Sequence, residues 1–421
     1  MSREIINKSL RHASGDRRLK IALVSKADLT GGGASRIAQE LTELLSQSGH
    51  IAHHWLIHSG AKDYIYKRDI IPTGRRIFRA LNNFQRKIGL PNFFPFELFF
   101  LNANRLSNYD VIHFHDISSV ISPWTIFWLS KFKPVVWTFH DCSPFTAGCI
   151  STMDCTKYMR GCGGCPQLGS WPLDTSVDLT RVLAWSKRTI GTKKSYTPVV
   201  PSRWMQEKSF GSGYLPSQAI LIPNAIDTEL FCPQDRVAIR KKLGLPLDRT
   251  IVTISAAYLE DDRKGAKSAL QALHACRDLA PFVLLVGRSN PRLIEQLKGL
   301  DYLAPGYISE RERLAQYYSA ADIFLYPSLA DNLPLVVLEN LSCGVPVVAF
   351  SVGGIPEMID SSVGRLVSPG NIEELSSALR EILTSHSPNK WTRACRERVE
   401  QKFSRQTFIK KHEELYTQLL K

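Results

Sequence analysis

Between Ser319 and Glu357 the chain reads SAADIFLYPSLADNLPLVVLENLSCGVPVVAFSVGGIPE, and no other stretch restricts the fold as much. Its two apolar runs, IFLYP and VPVVAF, are long enough for buried strands and too short for a typical helix. Pro334 suits the first turn of an intervening helix, where its missing N–H would have no intrahelical partner. Gly344 suits the position just past the helix end, where a left-handed backbone is common. Strand, loop, short helix, strand is a βαβ unit of a parallel sheet. Such sheets bind ligands outside the carboxyl ends of their strands, beside helix N-termini. Asp331 in the loop and Glu339 inside the helix, eight residues apart, bracket that place.

Length and composition set the wider frame. At 421 residues the chain exceeds the size at which a single core divides, about 250–300 residues, so two domains are expected. A charged fraction of 22% and a hydrophobic fraction of 44% belong to an ordinary soluble globular protein. The formal net charge of +14 favours an anionic partner, whether a phosphate-bearing substrate or an acidic membrane surface. Nucleic acid is not expected, because neither an aromatic-rich RNA-binding signature nor Cys/His finger spacing accompanies the charge. The first residues lack a signal-peptide core and no apolar run reaches membrane-spanning length, which predicts a cytoplasmic protein that at most rests on a membrane. Nine cysteines, an odd number, argue against a disulfide framework.

In chain order, residues 1–18 read as a loose basic tail. LKIALVSK is the first strand, and Ile37, Leu41, Leu44 and Leu45 keep helical spacing after it until Gly49. IAHHWLIHS, VIHFHD and PVVWTFHD are further strands, and YTPVVPSRW reads as the last of the first half. TIVTISAA, FVLLVG, IFLYP and VPVVAF alternate with helical stretches in the second half, the pattern of a doubly wound α/β domain. From about Trp391 the chain is charged and helical. Pro72–Arg105 is unusual: crowded with Phe, it holds six Lys/Arg against one carboxylate, Glu97. It reads either as a helix and loop packed on the core, or as a basic amphipathic helix with an aromatic loop lying on anionic lipid.

Several groups suit a phosphate-bearing ligand. Arg263 and Lys264 in YLEDDRKGAKSAL offer a bidentate fork and a point charge. Backbone amides at the Leu333, Pro334, Leu335, Val336 helix start add donors, Pro334 itself lacking the N–H. TGGGAS sets glycines between a strand and a helix; Gly32 and Gly33 would let amides approach an anion, though a tight turn explains a glycine triplet as well. His140, a strand-end His followed by Asp, is placed for a cleft and titrates near neutrality, and His113 and His115 share one face of VIHFHD. Each could equally be a satisfied structural histidine. Cys149, Cys155, Cys162 and Cys165 fall within seventeen residues and could complete a structural zinc shell, or remain four reduced thiols.

Taken together, these motifs resemble the retaining GT-B glycosyltransferases of family 4. That family carries two Glu separated by seven residues ahead of a small-residue, Gly-x-Pro-Val-Val run; here Asp331 replaces the first Glu, Glu339 is the second, and CGVPVVA is the run. The DNLP form is similar to the colanic-acid and exopolysaccharide branch. The resemblance implies two Rossmann-like domains facing a central cleft: residues 19–215, with a Cys-rich insert at 142–168, and residues 216–398, with a helix at 399–421 returning to the first domain. It implies a UDP- or GDP-sugar as donor, no cofactor for catalysis, and a lipid-linked or oligosaccharide acceptor in exopolysaccharide, capsule or lipopolysaccharide synthesis. Glu339 would hold the ribose, and Gly306 and Tyr307 the turn against which the base lies. Asn224, in ILIPNAIDTELF, lies in the crossing between halves, and Tyr258 stands near a position commonly Arg. His140 would contact the sugar, and Arg263, Lys264 and Asp331 would serve the departing diphosphate. Two rival readings remain, a GT-B nucleotide-sugar epimerase or hydrolase and a non-catalytic member of a polysaccharide assembly complex.

Overall fold

The computed structural model describes residues 18–60, 64–101, 106–118, 120–385 and 388–421, so nearly all of the expected basic tail lies outside it. The chain divides into two compact units. One runs to Ile222 and takes back Ile409–Lys421; the other is Pro223–Phe408.

The first unit is a seven-stranded sheet in the order β3-β2-β1-β4-β5-β6-β7, parallel throughout. Its strands are β1 Lys20–Ala27, β2 Ile51–His58, β3 Lys67–Asp69, β4 Val111–Phe114, β5 Val135–Thr138, β6 Thr197–Val200 and β7 Ile220–Leu221. β1, β4 and β5 are near-continuous apolar runs because helices cover both faces of a parallel sheet. Helix α1, Gly33–Gln47, buries Ile37, Leu41, Leu44 and Leu45 against the sheet, and Gly49 beyond it has the positive φ of a helix stop. Helices α2 (Arg75–Lys87), α3 (Pro123–Leu129) and α4 (Thr180–Thr192) complete the elements used below.

The second unit is a six-stranded parallel sheet in the order β10-β9-β8-β11-β12-β13. Its strands are β8 Ile251–Tyr258, β9 Phe282–Arg288, β10 Asp301–Gly306, β11 Ile323–Tyr326, β12 Val347–Phe350 and β13 Gly364–Val367. Helix α5, Leu335–Ser342, joins β11 to β12, with Pro334 one residue earlier than expected, at the cap. Gly344 has φ +80 and lies against Thr392, which a Cβ would meet at 2.5 Å. The charged C-terminal stretch is two helices, Pro388–Lys402 and α6, Arg405–Leu419. Tyr416 of α6 is buried in the first unit, its hydroxyl 2.7 Å from His113 Nδ1.

YTPVV is not the last strand of its sheet, since β7 pairs beyond it. The sequence reading also lacked β3, β10 and β13. All four omitted strands are sheet edges. An edge strand is half exposed and carries a more polar run, as KRD and DYLAPG do.

Candidate active site

In the second sheet the strand order reverses between β8 and β11, the switch point at which open α/β sheets bind ligands. The turn after β8 and the loop after β11 are locked there. Leu329 N donates to Arg263 O at 2.7 Å, and the single Ser328 Oγ hydrogen is shared between that oxygen at 3.0 Å and Asp331. Gly265, with φ +71, passes so close that a Cβ would sit 1.7 Å from Pro327 O. That contact brings Lys264 Nζ to 2.8 Å from Asp331 Oδ2, which also accepts from Tyr326 Oη at 2.6 Å and Ser328 Oγ at 2.9 Å. From the other side Gly353, with φ +57, would put a Cβ 1.7 Å from Asp331 O, and Gly354 N donates to Asn332 O at 2.8 Å. Neither glycine was singled out from the sequence, although the Lys-Gly and Gly-Gly pairs flanking the two loops signalled them.

Asp331 and Lys264 are partly open, with side-chain exposures of 17% and 29%. Glu339, one turn into α5, is buried at 2% exposure. Leu333, Pro334 and Leu335 form the buried start of α5, whose leading N–H groups are those a helix leaves without intrahelical partners. Asn224 is buried beside them, with Nδ2 3.5 Å from Leu333 O. Arg263 is engaged elsewhere: its guanidinium forks onto Asp261 at 3.0 and 2.7 Å, which raises the Arg263 pKa. The structure thus gathers Lys264, Asp331, Glu339 and the α5 start, and turns the Arg263 side chain to a local carboxylate.

Gly306 ends β10 with φ +80, and Tyr307 after it is half-exposed. Between Tyr307 and Tyr258 stands Arg288, its guanidinium 4.9 Å from each ring and donating to Tyr258 Oη at 2.6 Å. Sequence reading missed Arg288. Its signal was a cation closing FVLLVGR, at the carboxyl end of a strand next to the switch.

The first sheet reverses between β1 and β4. Lys26, near the end of β1, pairs with Asp116 at 2.7 Å, and its Nζ lies 5.5 Å from the Trp171 ring. Neither Lys26 nor Asp116 was picked from the sequence. In the glycine triplet, Leu29–Gly31 make a 3-10 turn capped by buried Asp28, Gly32 takes φ +99 as the cap of α1, and Gly33 opens the helix. His115 Nδ1 lies 3.0 Å from His140 Nε2 with the rings stacked, and His113 bonds Thr138 Oγ1 and Tyr416 Oη at 2.7 Å each. Burial lowers every one of these imidazoles, His140 to about 3, so the stack is neutral at physiological pH. Burial raises Asp141 to about 6. His140 therefore offers a hydrogen bond and not a charge.

The zinc expectation is corrected. Cys149, Cys155, Cys162 and Cys165 line one small cavity, yet among the described residues no three His, Cys, Asp or Glu side chains gather as a metal-ion site. All nine cysteines are free thiols, and burial raises the pKa of Cys149, Cys162 and Cys165.

Two family models match the chain: Glycosyltransferase Family 4 over residues 31–230 and Glycosyl transferases group 1 over residues 248–385. The chain belongs to the family 4 glycosyltransferases. Among its relatives is the putative colanic acid biosynthesis glycosyl transferase WcaC of Escherichia coli (strain K12), 26% identical over 82% of this chain and 87% of that protein. The D-inositol 3-phosphate glycosyltransferase of Mycobacteroides abscessus is 32% identical over 40% of each chain. Solved structures share the GT-B fold. Sucrose-phosphate synthase from Thermosynechococcus elongatus has a TM-score of 0.70 at 23% identity, covering 96% of this chain and 99% of that one. Anabaena HepE in complex with UDP and glucose has a TM-score of 0.66 at 18% identity, covering 95% and 100%.

Proposed function

We propose that this glycosyltransferase moves a sugar, with retention of configuration, from a UDP- or GDP-sugar to a lipid-linked or oligosaccharide acceptor in the synthesis of exopolysaccharide, capsule or lipopolysaccharide. The observation that carries the reading is Lys264 held by Asp331 at the β8/β11 switch, next to the start of α5. Breaking the sugar–phosphate bond builds negative charge on the departing diphosphate. A fixed ammonium and peptide N–H donors placed where that charge develops lower the barrier without reorganising. Asp331 Oδ2 already accepts from three donors, which suits a carboxylate that orients Lys264 and sugar hydroxyls and not one that attacks the anomeric carbon. The leaving phosphate itself then takes the acceptor proton, on the face it departs from. In this scheme Lys264, Arg288 and the α5 amides meet the diphosphate charge without a metal, Glu339 holds the ribose, and the Gly306–Tyr307 turn with Tyr258 takes the base. Gly32 and Gly33 bring backbone amides toward donor and acceptor, and His140 contacts the sugar. The UDP-bound HepE structures and the WcaC relative support the donor and product classes.

The acceptor's lipid gives the basic segment a use. Glu97, its one carboxylate, is buried, accepts from Ser122 N at 2.6 Å and Thr125 Oγ1 at 2.5 Å, and is raised by burial to about 7. What α2 and its loop show to solvent is Arg75, Arg76, Arg79 and Lys87 with Ile77, Phe84 and Phe99, the last 82% exposed. Such a surface suits peripheral contact with anionic lipid on the cytoplasmic face. Residues 102–105 of the segment lie outside the described residues, among which no helix is long and apolar enough to cross a membrane.

A panel of UDP-, GDP- and ADP-sugars is screened by thermal shift, and the product's anomeric configuration is then read by proton NMR. A shift confined to one nucleotide class and a retained configuration are expected. Inversion overturns the retaining mechanism. Full turnover of the donor to free sugar, unchanged by any acceptor, favours the hydrolase.

A further inference from the structure

Helix α3 turns an aromatic face outward. Its inner side buries Thr125, Ile126 and Leu129. The other side of a surface helix is ordinarily polar. Here it carries Trp124, Phe127 and Trp128 at helical spacing, and Phe132 follows in the loop. The Trp128 and Phe132 rings are 5.1 Å apart, and Phe132 is 63% exposed. Beside it α4 adds exposed Val182 and Trp185, the Trp185 ring 5.8 Å from that of Trp124. A single exposed apolar side chain needs no explanation, whereas a group on two adjoining helices marks an interaction surface.

The charge around these rings has one sign. Residues 117–140 and 179–206 hold eight Lys/Arg and no Asp/Glu. Lys131, Arg181, Arg188, Lys193 and Lys194 are exposed. Two of them flank the aromatic face, Lys131 Nζ at 4.5 Å and Lys193 Nζ at 5.5 Å from the Phe127 ring. Asp178, just before α4, is engaged by Cys165 N at 2.8 Å and Thr180 N at 3.0 Å.

Both features fit one partner. Trp, with an apolar body and one N–H, and Lys, with an apolar stem and a charged head, are the side chains that settle at the headgroup level of a bilayer. An anionic leaflet attracts each cation in addition. The face is also continuous with the basic α2 surface. Phe93 of the α2 loop has its ring 6.4 Å from Trp124 and 5.2 Å from exposed Phe94, and Ser122, the cap of α3, donates its N–H to Glu97 of that loop at 2.6 Å. We infer that the outer faces of α3 and α4 form a second membrane footprint, with Trp128, Phe132 and Trp185 seated among the headgroups of an anionic bilayer and Lys131 and Lys193 at its phosphates. The inference rests on the lipid-linked acceptor reading above and adds an orientation to it. α3 begins only a short loop beyond Asp116, so the lipid surface is held against the element that leaves the β1/β4 switch.

The full chain is co-sedimented with mixed phosphatidylcholine–phosphatidylglycerol vesicles and with pure phosphatidylcholine vesicles, and its tryptophan fluorescence is read against brominated phosphatidylcholine in the same mixture. Binding to the anionic vesicles and bromine quenching are expected, with pure phosphatidylcholine at least tenfold weaker. Trp128→Ser with Phe132→Ser should weaken the anionic binding at least tenfold, and Trp128→Ser with Trp185→Ser should abolish most of the quenching. Lys131→Gln and Lys193→Gln, exposed changes that leave the fold alone, should each cost about fivefold, the value of one cation at such a surface. Val237→Ser, at an exposed apolar position of the second unit, should change nothing. Anionic binding that is lost in Phe84→Ser with Phe99→Ser but unchanged in the α3 and lysine variants overturns this footprint and leaves the α2 reading standing. A chain that binds neither vesicle overturns both. Self-association that the Trp128 and Phe132 changes dissolve, with no lipid binding, would assign the face to a second copy and overturn the inference as well. The thermal shift with nucleotide-sugars is measured on each variant and reports on the donor reading separately, since no footprint residue belongs to that site.

Discussion

At the β8/β11 switch the charges stand partly open to solvent: Lys264 on Asp331, Arg263 on Asp261, Arg288 between two tyrosines. At the β1/β4 switch the titratable groups are submerged. Asp116 and Asp141 are raised by burial, and His113, His115 and His140 are held neutral. One sheet architecture thus supports two electrostatic designs. In the proposed scheme the partly open cation at the first of these meets the departing diphosphate, and the buried groups at the other position sugar hydroxyls while burial keeps them neutral.

The largest effect that tests this contrast is at Lys264. Lys264→Ala should lower kcat by about 10²–10³-fold, the scale of a lost transition-state electrostatic contact, in an assay of nucleotide release with acceptor present. Lys26→Ala, at the other switch, should cost only about tenfold, roughly the value of one positioning hydrogen bond. Equal losses would erase the distinction between the two sites.

Acid should separate the units next. His54, His113, His115 and His140 titrate near 6.5 when unfolded, and in the native first unit they are depressed, His54 and His140 to about 3. Below 6.5 the unfolded chain binds protons that the native unit refuses, so stability falls with pH. Glu97, raised to about 7, and Asp141, raised to about 6, act oppositely, because the native unit holds their protons while the unfolded chain releases them down to the ordinary carboxylate range. With His53 and His58 also lowered and Asp116 also raised, six imidazoles stand against three carboxylates, which leaves a net loss of stability as pH falls through about 6. In the second unit Asp261 and Asp360 are lowered by Arg263 and Ser362, and that stability is lost only as pH falls below the ordinary carboxylate range. Pulse proteolysis in urea at about pH 7 and pH 5 should therefore show the first unit weakening while the second holds. Simultaneous loss would contradict the assigned burial.

A moderate effect is expected at Glu339. Glu339→Gln removes a charge-assisted hydrogen bond and should raise the donor KM about 10–100-fold with a smaller change in kcat. An unchanged KM would remove Glu339 from donor binding. The smallest effect belongs to the surface: Phe84→Ser with Phe99→Ser should lower co-sedimentation with anionic vesicles about fivefold and leave nucleotide binding in the second unit untouched.

Much of this was legible in the chain. Apolar runs announced nine of the central strands because a helix-covered parallel sheet leaves no room for polar alternation. The Asp331–Glu339 spacing and the Arg263–Lys264 pair pointed to the β8/β11 switch, where Lys264 and Asp331 meet. The four edge strands were invisible because half-exposed backbone makes no demand on side chains. Asp116, Lys26 and Arg288 were equally hidden, since a single charged residue at a strand end looks like any solvated one until its neighbours are known.

By itself the sequence determined which segments must be buried and which glycines stop helices, because hydrophobic period and backbone permissiveness are local properties. It could not determine pairing. That Arg263 turns to Asp261, that Arg288 stands between Tyr258 and Tyr307, and that four cysteines share a cavity without making a metal site were decided by tertiary structure. Charge, burial and protonation depend on what lies within a few ångströms in space, and only the folded sheet brings strand ends from distant parts of the chain to that range.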